Sequence, residues 1–268
     1  MKADLHVHSN FSDGVDSVET VIRTAKANGV THLSFVDHDT TAGLQEAEKF
    51  GEMYGISIIP GIEISAYDFK RNRKVHVLGY YYDPEAVHIR RICEPLLQRR
   101  QEHSLWQIGR LNESGYDLDK NEIQHTALPS QTIYKQHIMA HLTTASYHSE
   151  DYQKLYRKLF KNDGPAAGDI EYIDAREAVE AITKDGGIAV LAHPGQLNSY
   201  SVISELVEAG LKGIELYHPD HTEKDYELVR AMAKEHELMM TGGTDYHGDY
   251  GMPIKIGSVT SPINSLLV

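Results

Sequence analysis

Short apolar runs alternate with amphipathic helical segments along most of this chain, and no other feature restricts its fold as strongly. Strands are predicted over residues 3–7, 32–37, 56–64, 74–82, 187–192, 213–217, 238–241 and 254–259. Repeated βα units of this kind place parallel strands side by side with helices outside. About seven such units favour a closed or nearly closed α/β barrel over an open doubly wound sheet. The first strand lacks the glycine-rich turn of a dinucleotide-binding fold, which supports the same prediction.

The alternation stops between about residues 84 and 166. This stretch has helical periodicity and many long polar side chains, and no part of it is typical of a strand. Helices are predicted near residues 87–114, 131–145 and 151–161. We therefore expect one barrel domain formed by residues 1–84 and 167–268, with a helical insertion, or cap, over residues 85–166.

The composition restricts the classes of partner and compartment. There are 26 Lys+Arg against 39 Asp+Glu, a formal net charge of −13, which argues against extended binding to a nucleic-acid backbone. A small phosphorylated substrate remains compatible if the site itself supplies cations. No apolar stretch approaches the roughly 20 residues that cross a bilayer, and the first residues lack the apolar segment of a signal peptide. With Cys93 as the single cysteine, a cytoplasmic protein without membrane contact is expected.

The 16 histidines are informative because many of them fall at the ends of predicted strands. His6 and His8 lie two residues apart, so both project from the same side of a strand, and Asp245 and His247 repeat this spacing. In a barrel of parallel strands the C-terminal strand ends form one face, where such side chains meet. Any one of them alone could be an ordinary core or surface residue. The candidate metal ligands are His6, His8, Asp13, His38, Glu63, His76, His193, Asp245 and His247.

Six imidazoles and three carboxylates exceed the roughly four ligands of a tetrahedral zinc site. They suit two or three divalent ions such as manganese, iron or zinc, because imidazole is a poor ligand for magnesium or calcium. Several positive charges at one place would also attract phosphate while the remaining surface stays acidic.

The ordered set of motifs resembles the PHP (polymerase and histidinol phosphatase) family of metal-dependent phosphoesterases, whose fold is a distorted (β/α)7 barrel. The matching motifs are His6-Val7-His8, Asp37-His38, His193-Pro194 and Asp245-Tyr246-His247, together with Asp13, Glu63 and His76. The resemblance implies a first metal held by His6, His8 and Asp245, and Glu63 bridging it to a second. It further implies that His76 and His193 complete the second site and that Asp13, His38 and His247 form a third.

Within the family, residues 75–80 and the insertion resemble the branch that acts on 5′-AMP, 3′,5′-bisphosphonucleotides and short RNA 5′ ends. By this resemblance Lys135 and His137 are candidate phosphate contacts, with a solvated helix face as the alternative. Several members have an Arg-Tyr pair after the His-Pro motif. This chain has Gly195-Gln196 there, which makes Gln196 a candidate substrate contact and leaves the substrate open.

The expected reaction is hydrolysis of the phosphomonoester of a small nucleotide by a hydroxide that bridges the metals. His218, His221 and Asp39 are candidates for protonating the leaving alkoxide. The alternatives are an L-histidinol-phosphate phosphatase, a 5′–3′ exonuclease on short RNA and a non-catalytic metal-binding accessory module. A non-catalytic module usually lacks some ligands, whereas this chain has the full set. The oligomeric state stays open.

Overall fold

The computed structural model describes residues 1–262 and has a mixed α/β architecture. Its strands are β1 (Ala3–Val7), β2 (His32–Phe35), β3 (Ser57–Ile58), β4 (Gly61–Asp68), β5 (Arg73–Tyr80), β6 (Ile173–Asp174), β7 (Ile188–Leu191), β8 (Gly213–Tyr217) and β9 (Met239–Gly242). Its α-helices are α1 (Val18–Ala27), α2 (Leu44–Tyr54), α3 (Val87–Glu113), α4 (Lys120–Ala127), α5 (Lys135–Leu142), α6 (Glu150–Phe160), α7 (Ala175–Lys184), α8 (Pro194–Leu197), α9 (Ile203–Ala209) and α10 (Glu223–Glu235).

The strands form two sheets rather than one closed ring. One sheet has the parallel order β1-β2-β3, and the other has the order β6-β4-β5-β7-β8-β9. Isolated bridges between Val7 and Tyr246 and between His38 and Glu63 connect the two groups of strands. Within residues 1–262 the strands form no continuous barrel, so the closed (β/α)7 arrangement is not confirmed, although the α/β class is.

The main departure from repeated βα units is a β-hairpin. Strand β5 runs antiparallel to both β4 and β7, with Gly61 opposite Tyr80 and Asp68 opposite Arg73. The connection between β4 and β5 has only four residues, too short for the crossover that a parallel pair requires. The short interval between these two strands in the sequence therefore excludes a parallel pairing.

Three local predictions differ from the structure. The strand predicted over residues 56–64 is broken at Pro60, and its two halves, β3 and β4, join different sheets. Residues 254–259 form no strand. Their backbone is instead held by side chains, because Gly257 N–H donates to Asp4 and Ile256 C=O accepts from Asn28. Strand β6 and helix α4 were not expected.

The cap of residues 85–166 is helical, as expected, and helix α3 connects it to the sheets. The first half of α3 packs Ile89 and Leu96 into the main hydrophobic core beside β4 and β5. Its second half packs Ile108 and Leu111 into a separate cluster that α6 completes with Phe160. Residues of α5 and α6 line the same cavity as the predicted ligands His38 and His76, while the division into two domains stays a prediction.

Among the described residues, no helix is both long and apolar enough to cross a bilayer. Cys93 is a buried free thiol on α3. The cytoplasmic location stays a prediction.

Candidate metal centre

Strand β1 brings the first two histidines to the middle of the molecule. His6 lies on β1 and His8 just beyond its end, and neither side chain is exposed to solvent. The segment after β9 lies directly against them, because Asp245 N–H donates to His6 C=O and His8 N–H donates to Tyr246 C=O. Gly243 allows this approach, since a Cβ at that position would lie 2.4 Å from the His6 backbone nitrogen.

The first group of possible ligands consists of His6, His8, Glu63 and Asp245. The Nε2 atoms of His6 and His8 both lie 3.2 Å from Glu63 Oε2. They lie 3.3 and 3.2 Å, respectively, from Asp245 Oδ1. Two imidazole nitrogens and two carboxylate oxygens thus face one another around a single point.

A second group consists of His8, Asp13, His38 and His247, and it lies beside the first. His247 Nε2 is 3.3 Å from Asp13 Oδ1, and His38 Nε2 is 4.0 Å from Asp13 Oδ2. His8 belongs to both groups, so the two points are directly adjacent.

Glu63 also forms the centre of a third group with His38 and His76. Its Oε1 lies 2.7 Å from His76 Nδ1 and 2.8 Å from His193 Nε2. All nine predicted ligands are therefore brought into one cluster. How they share the ions stays a prediction, and His38 faces Glu63 as well as Asp13.

The charge and burial of the cluster fit bound cations. Among residues 1–262, Nδ1 of His8 and Nδ1 of His193 are buried without a hydrogen-bond partner, and Nε2 of His8 has only the facing oxygens of Glu63 and Asp245 at 3.2 Å. Buried polar atoms in proteins are rarely left unpaired, and these nitrogens belong to residues that face carboxylate oxygens. Burial alone would raise the pKa of Glu63, but the facing imidazoles of His38, His76 and His6 hold it well below its usual value. The donor set of imidazole and carboxylate fits manganese, iron or zinc.

Two buried carboxylates outside the nine predicted ligands accept hydrogen bonds that hold parts of the cluster in place. Asp37, next to a predicted ligand, accepts hydrogen bonds from Ser9 N–H, Ser9 Oγ and Ser12 Oγ at 2.6–2.8 Å, and so fixes the loop that carries Asp13. Glu215 accepts from His6 Nδ1 at 2.9 Å and from His193 N–H at 2.8 Å. Glu215 was not among the residues predicted from the sequence. Its signal was a carboxylate inside the apolar strand β8, where burial is costly without partners.

The three candidates for the proton donor occupy different environments. His218 Nε2 lies 3.2 Å from Asp245 Oδ2, next to the cluster. Both nitrogens of His221 are used by the backbone, since Nε2 accepts from Gly195 N–H and Nδ1 donates to Leu216 C=O. Asp39 accepts from Ser65 N–H and forms an ion pair with Arg100 at 2.7 Å. His218 is therefore the one of the three that lies against a carboxylate of the cluster, and which of them donates a proton stays a prediction.

A cavity of about 390 Å³ opens over Asp13, His38 and His76, and side chains from the cap form its far walls. Among its lining residues are four cationic and five tyrosine side chains. They are Lys74, Arg100, Lys135, Lys161, Tyr134, Tyr147, Tyr152, Tyr156 and Tyr172.

The candidate substrate contacts differ in their relation to this cavity. Lys135 and Gln196 line it, and Gln196 donates to Asp220. His137 does not line it. Its ring is buried and its Nδ1 accepts from Tyr134 N–H, so it caps the start of α5. The neighbouring Gln136, which was not predicted as a contact, lines the cavity and donates to Asp13 Oδ2 at 2.9 Å.

Arg100 was also missed. Its guanidinium lines the cavity, donates to Asp39 and Ser65, and stacks 4.9 Å from the Tyr134 ring centroid. No local pattern on the long helix α3 separates it from the other arginines there.

Comparisons with known proteins agree with this geometry. The PHP domain model matches residues 4–209. A phosphoribosyl 1,2-cyclic phosphate 1,2-diphosphodiesterase from Eggerthella lenta is 49% identical over 96% of this chain and 98% of its own. A 5′-3′ exoribonuclease from Haemophilus influenzae is 30% identical over 99% and 97%. A 3′,5′-nucleoside bisphosphate phosphatase from Chromobacterium violaceum is 28% identical over 91% and 86%.

Two solved structures share the fold. A metal-dependent phosphoesterase from Bifidobacterium adolescentis superposes with a TM-score of 0.88 at 26% identity, covering 97% of this chain and 92% of its own. An amidohydrolase from Chromobacterium violaceum, solved with sulfate and no metal, gives a TM-score of 0.85 at 26% identity, covering 97% and 91%.

Proposed function

This chain belongs to the PHP domain family and is a metal-dependent phosphoesterase, and on that premise we propose that it hydrolyses a phosphate ester of a small phosphorylated ribose compound. One observation carries the proposal. Three of the nine clustered candidate ligands, Asp13, His38 and His76, line a cavity whose other lining side chains include four cations and five tyrosines. Such a cavity suits a small anionic molecule with a hydrophobic or sugar portion rather than a long polymer.

The ligand groups described above would hold two or three divalent ions, with manganese, iron or zinc as the proposed metals. When bound, such ions activate water for attack on phosphorus and neutralise the charge that develops on the phosphate oxygens. Asp37 and Glu215 hold Asp13, His6 and His193 in place for this purpose.

The protein's own contribution to proton transfer centres on His218. Its Nδ1 accepts from Asp220 N–H, so the ring carries its proton on Nε2, beside Asp245. Burial would lower the pKa of His218, but Asp245 and Glu215 raise it. The Nε2–H of this ring is the proton that we propose it donates toward the departing sugar oxygen.

The relatives narrow the substrate class. The names of the Eggerthella lenta and Chromobacterium violaceum enzymes specify a phosphoribosyl cyclic phosphate and a nucleoside bisphosphate, respectively, both of them ribose compounds with more than one phosphate. The higher identity and nearly full coverage of the first relative favour the phosphoribosyl cyclic phosphate as the first candidate. A 3′,5′-bisphosphonucleotide is the second, and 5′-AMP and an RNA 5′ end follow.

The test is hydrolysis of four substrates by the Mn²⁺-loaded protein, compared side by side, with phosphate release measured for the monoesters and ring opening followed by ³¹P NMR for the cyclic diester. The four substrates are 5-phosphoribosyl 1,2-cyclic phosphate, adenosine 3′,5′-bisphosphate, 5′-AMP and L-histidinol phosphate. We expect metal-dependent turnover with a clear preference for a ribose substrate. Preference for histidinol phosphate would overturn the substrate class, and no turnover of any substrate with metal bound would favour the accessory-module alternative.

A further inference from the structure

The cationic side chains that line the cavity come from separate parts of the fold. Lys74 lies on β5, Lys135 begins α5 and Lys161 directly follows α6. Burial and the nearby charges of Lys74, Lys161 and Arg100 lower the pKa of Lys135 to about 8. The four cations are therefore close enough to repel one another.

The acidic groups nearby compensate only part of this charge. Arg100 is paired with Asp39, and Lys74 is paired with Asp169. Lys135 and Lys161 form no ion pair with any described residue, although Lys161 Nζ lies 5.8 Å from the ring centroid of Tyr156. Asp169 offsets part of the effect on Lys135, so two positive charges without an ion pair of their own face one cavity in a chain whose formal net charge is −13. Collecting like charges in one place is unfavourable without an anion to bind them.

The position of Lys74 relates this cationic portion to the metal centre. Lys74 and His76 lie two residues apart on β5, so they project from the same side of the strand roughly 7 Å apart along it. That separation is comparable to the span of one ribose unit. A phosphate over His76 and a second phosphate among the lysines would therefore belong to the same small molecule.

We propose that Lys74, Lys135 and Lys161 form a second anion subsite, which binds a phosphate group of the substrate that is not hydrolysed. This inference rests on the proposed function and sharpens it, because the preferred substrate then carries two separate phosphate groups on one ribose. Lysine binds phosphate as a point charge and needs no fixed fork geometry, which suits a subsite formed by side chains from separate parts of the fold.

The subsite discriminates among the substrates considered above. Adenosine 3′,5′-bisphosphate and a phosphoribosyl cyclic phosphate place one phosphate at the metal centre and offer another to the lysines. 5′-AMP has a single phosphate and leaves one of the two places empty. L-histidinol phosphate would bring an ammonium group close to three lysines and an arginine, which is unfavourable.

The experiment compares Lys161→Met with Lys158→Met, a change of the same type at an exposed lysine on α6 that does not line the cavity. The Mn²⁺-loaded proteins are assayed for kcat/KM with adenosine 3′,5′-bisphosphate and with 5′-AMP. Loss of one charge-assisted contact predicts that Lys161→Met lowers the value for the bisphosphate roughly tenfold more than that for 5′-AMP. Lys158→Met leaves both values unchanged, and Lys161→Arg restores most of the preference.

An equal loss with both substrates, or no loss with either, would overturn the inference. Because Lys161 is exposed, its replacement is not expected to unfold the protein, and thermal unfolding checks this. If no substrate is turned over, the proposed function fails. In that case calorimetry measures the binding of adenosine 3′,5′-bisphosphate to the Mn²⁺-loaded proteins and tests the subsite independently of turnover. Weaker binding in Lys161→Met than in Lys158→Met supports the subsite, and equal binding refutes it.

Discussion

Replacement of Glu215 by glutamine tests whether residues behind the metal centre control its affinity. The carboxylate is fully buried and accepts two hydrogen bonds, from His6 Nδ1 and from His193 N–H. Glutamine has the same shape but only one acceptor oxygen, so its NH₂ group must face one of the two donors. The hydrogen bond from Nδ1 also leaves His6 Nε2 free to face the cluster, and glutamine would hold that tautomer less firmly.

The magnitude follows from the lost interaction. A hydrogen bond to a charged acceptor contributes about 1.5–3 kcal/mol, and a buried donor left unpaired costs a similar amount. We therefore expect Glu215→Gln to lower the free energy of unfolding by about 2 kcal/mol. Loss of a carboxylate that supports a ligating histidine typically lowers metal affinity about 10–100-fold, and we expect an effect of that size here.

Equilibrium dialysis against buffered Mn²⁺, followed by elemental analysis, measures the affinity. Chemical unfolding in the presence of a chelator measures the stability separately. Glu227→Gln, an exposed change on α10, is the control and should alter neither quantity. Mn²⁺ affinity within about twofold of the parent protein would refute the reasoning, even if the stability fell, because the predicted loss is about tenfold or more.

Three further predictions concern the reaction site. Asp245→Ala should lose Mn²⁺ and phosphatase activity together, and full retention of activity would contradict the ligand assignment. Gln136 lines the cavity and donates a hydrogen bond to Asp13, and Gln136→Leu removes this polar group from the binding site. We expect KM to rise roughly tenfold, with less effect on Mn²⁺ content. Steady-state kinetics measures the first quantity and elemental analysis the second. Because the pKa of Lys135 is lowered to about 8, the free enzyme loses this charge as pH rises through that value. KM for adenosine 3′,5′-bisphosphate should therefore rise above about pH 8 in the parent protein. An equal rise in Lys135→Met would show that another group causes the effect. The charged and titratable groups around Lys135 in the cavity are Lys74, Arg100, His103, Lys161 and Asp169.

The sequence located the clustered residues through a rule that holds only in part. The two-residue spacing of His6 and His8 does place both side chains in the cluster. Glu63 and His76, however, come together through the antiparallel register of β4 and β5, in which Ser65 pairs with His76 and Glu63 with Leu78. The residues were identified from their positions near strand ends, while the arrangement that joins them is a hairpin.

The supporting residues were harder to identify because their contacts connect distant parts of the chain. Arg100 and Asp39 are 61 residues apart, and Glu215 and His6 are 209 apart. No local periodicity encodes such a pair. His137 is the opposite case, a predicted phosphate contact that does not line the cavity. Its position two residues after Lys135 suggested that contact, whereas its ring caps the start of α5.

Anomalous diffraction from crystals soaked in Mn²⁺ tests the central claim most directly. Two or three manganese peaks should lie among the nine side chains, with Glu63 in contact with at least one of them. Phosphatase activity should fall as those peaks are removed by a chelator. Manganese bound elsewhere, or full activity with no ion among these residues, would contradict the assignment of this cluster as the reaction site.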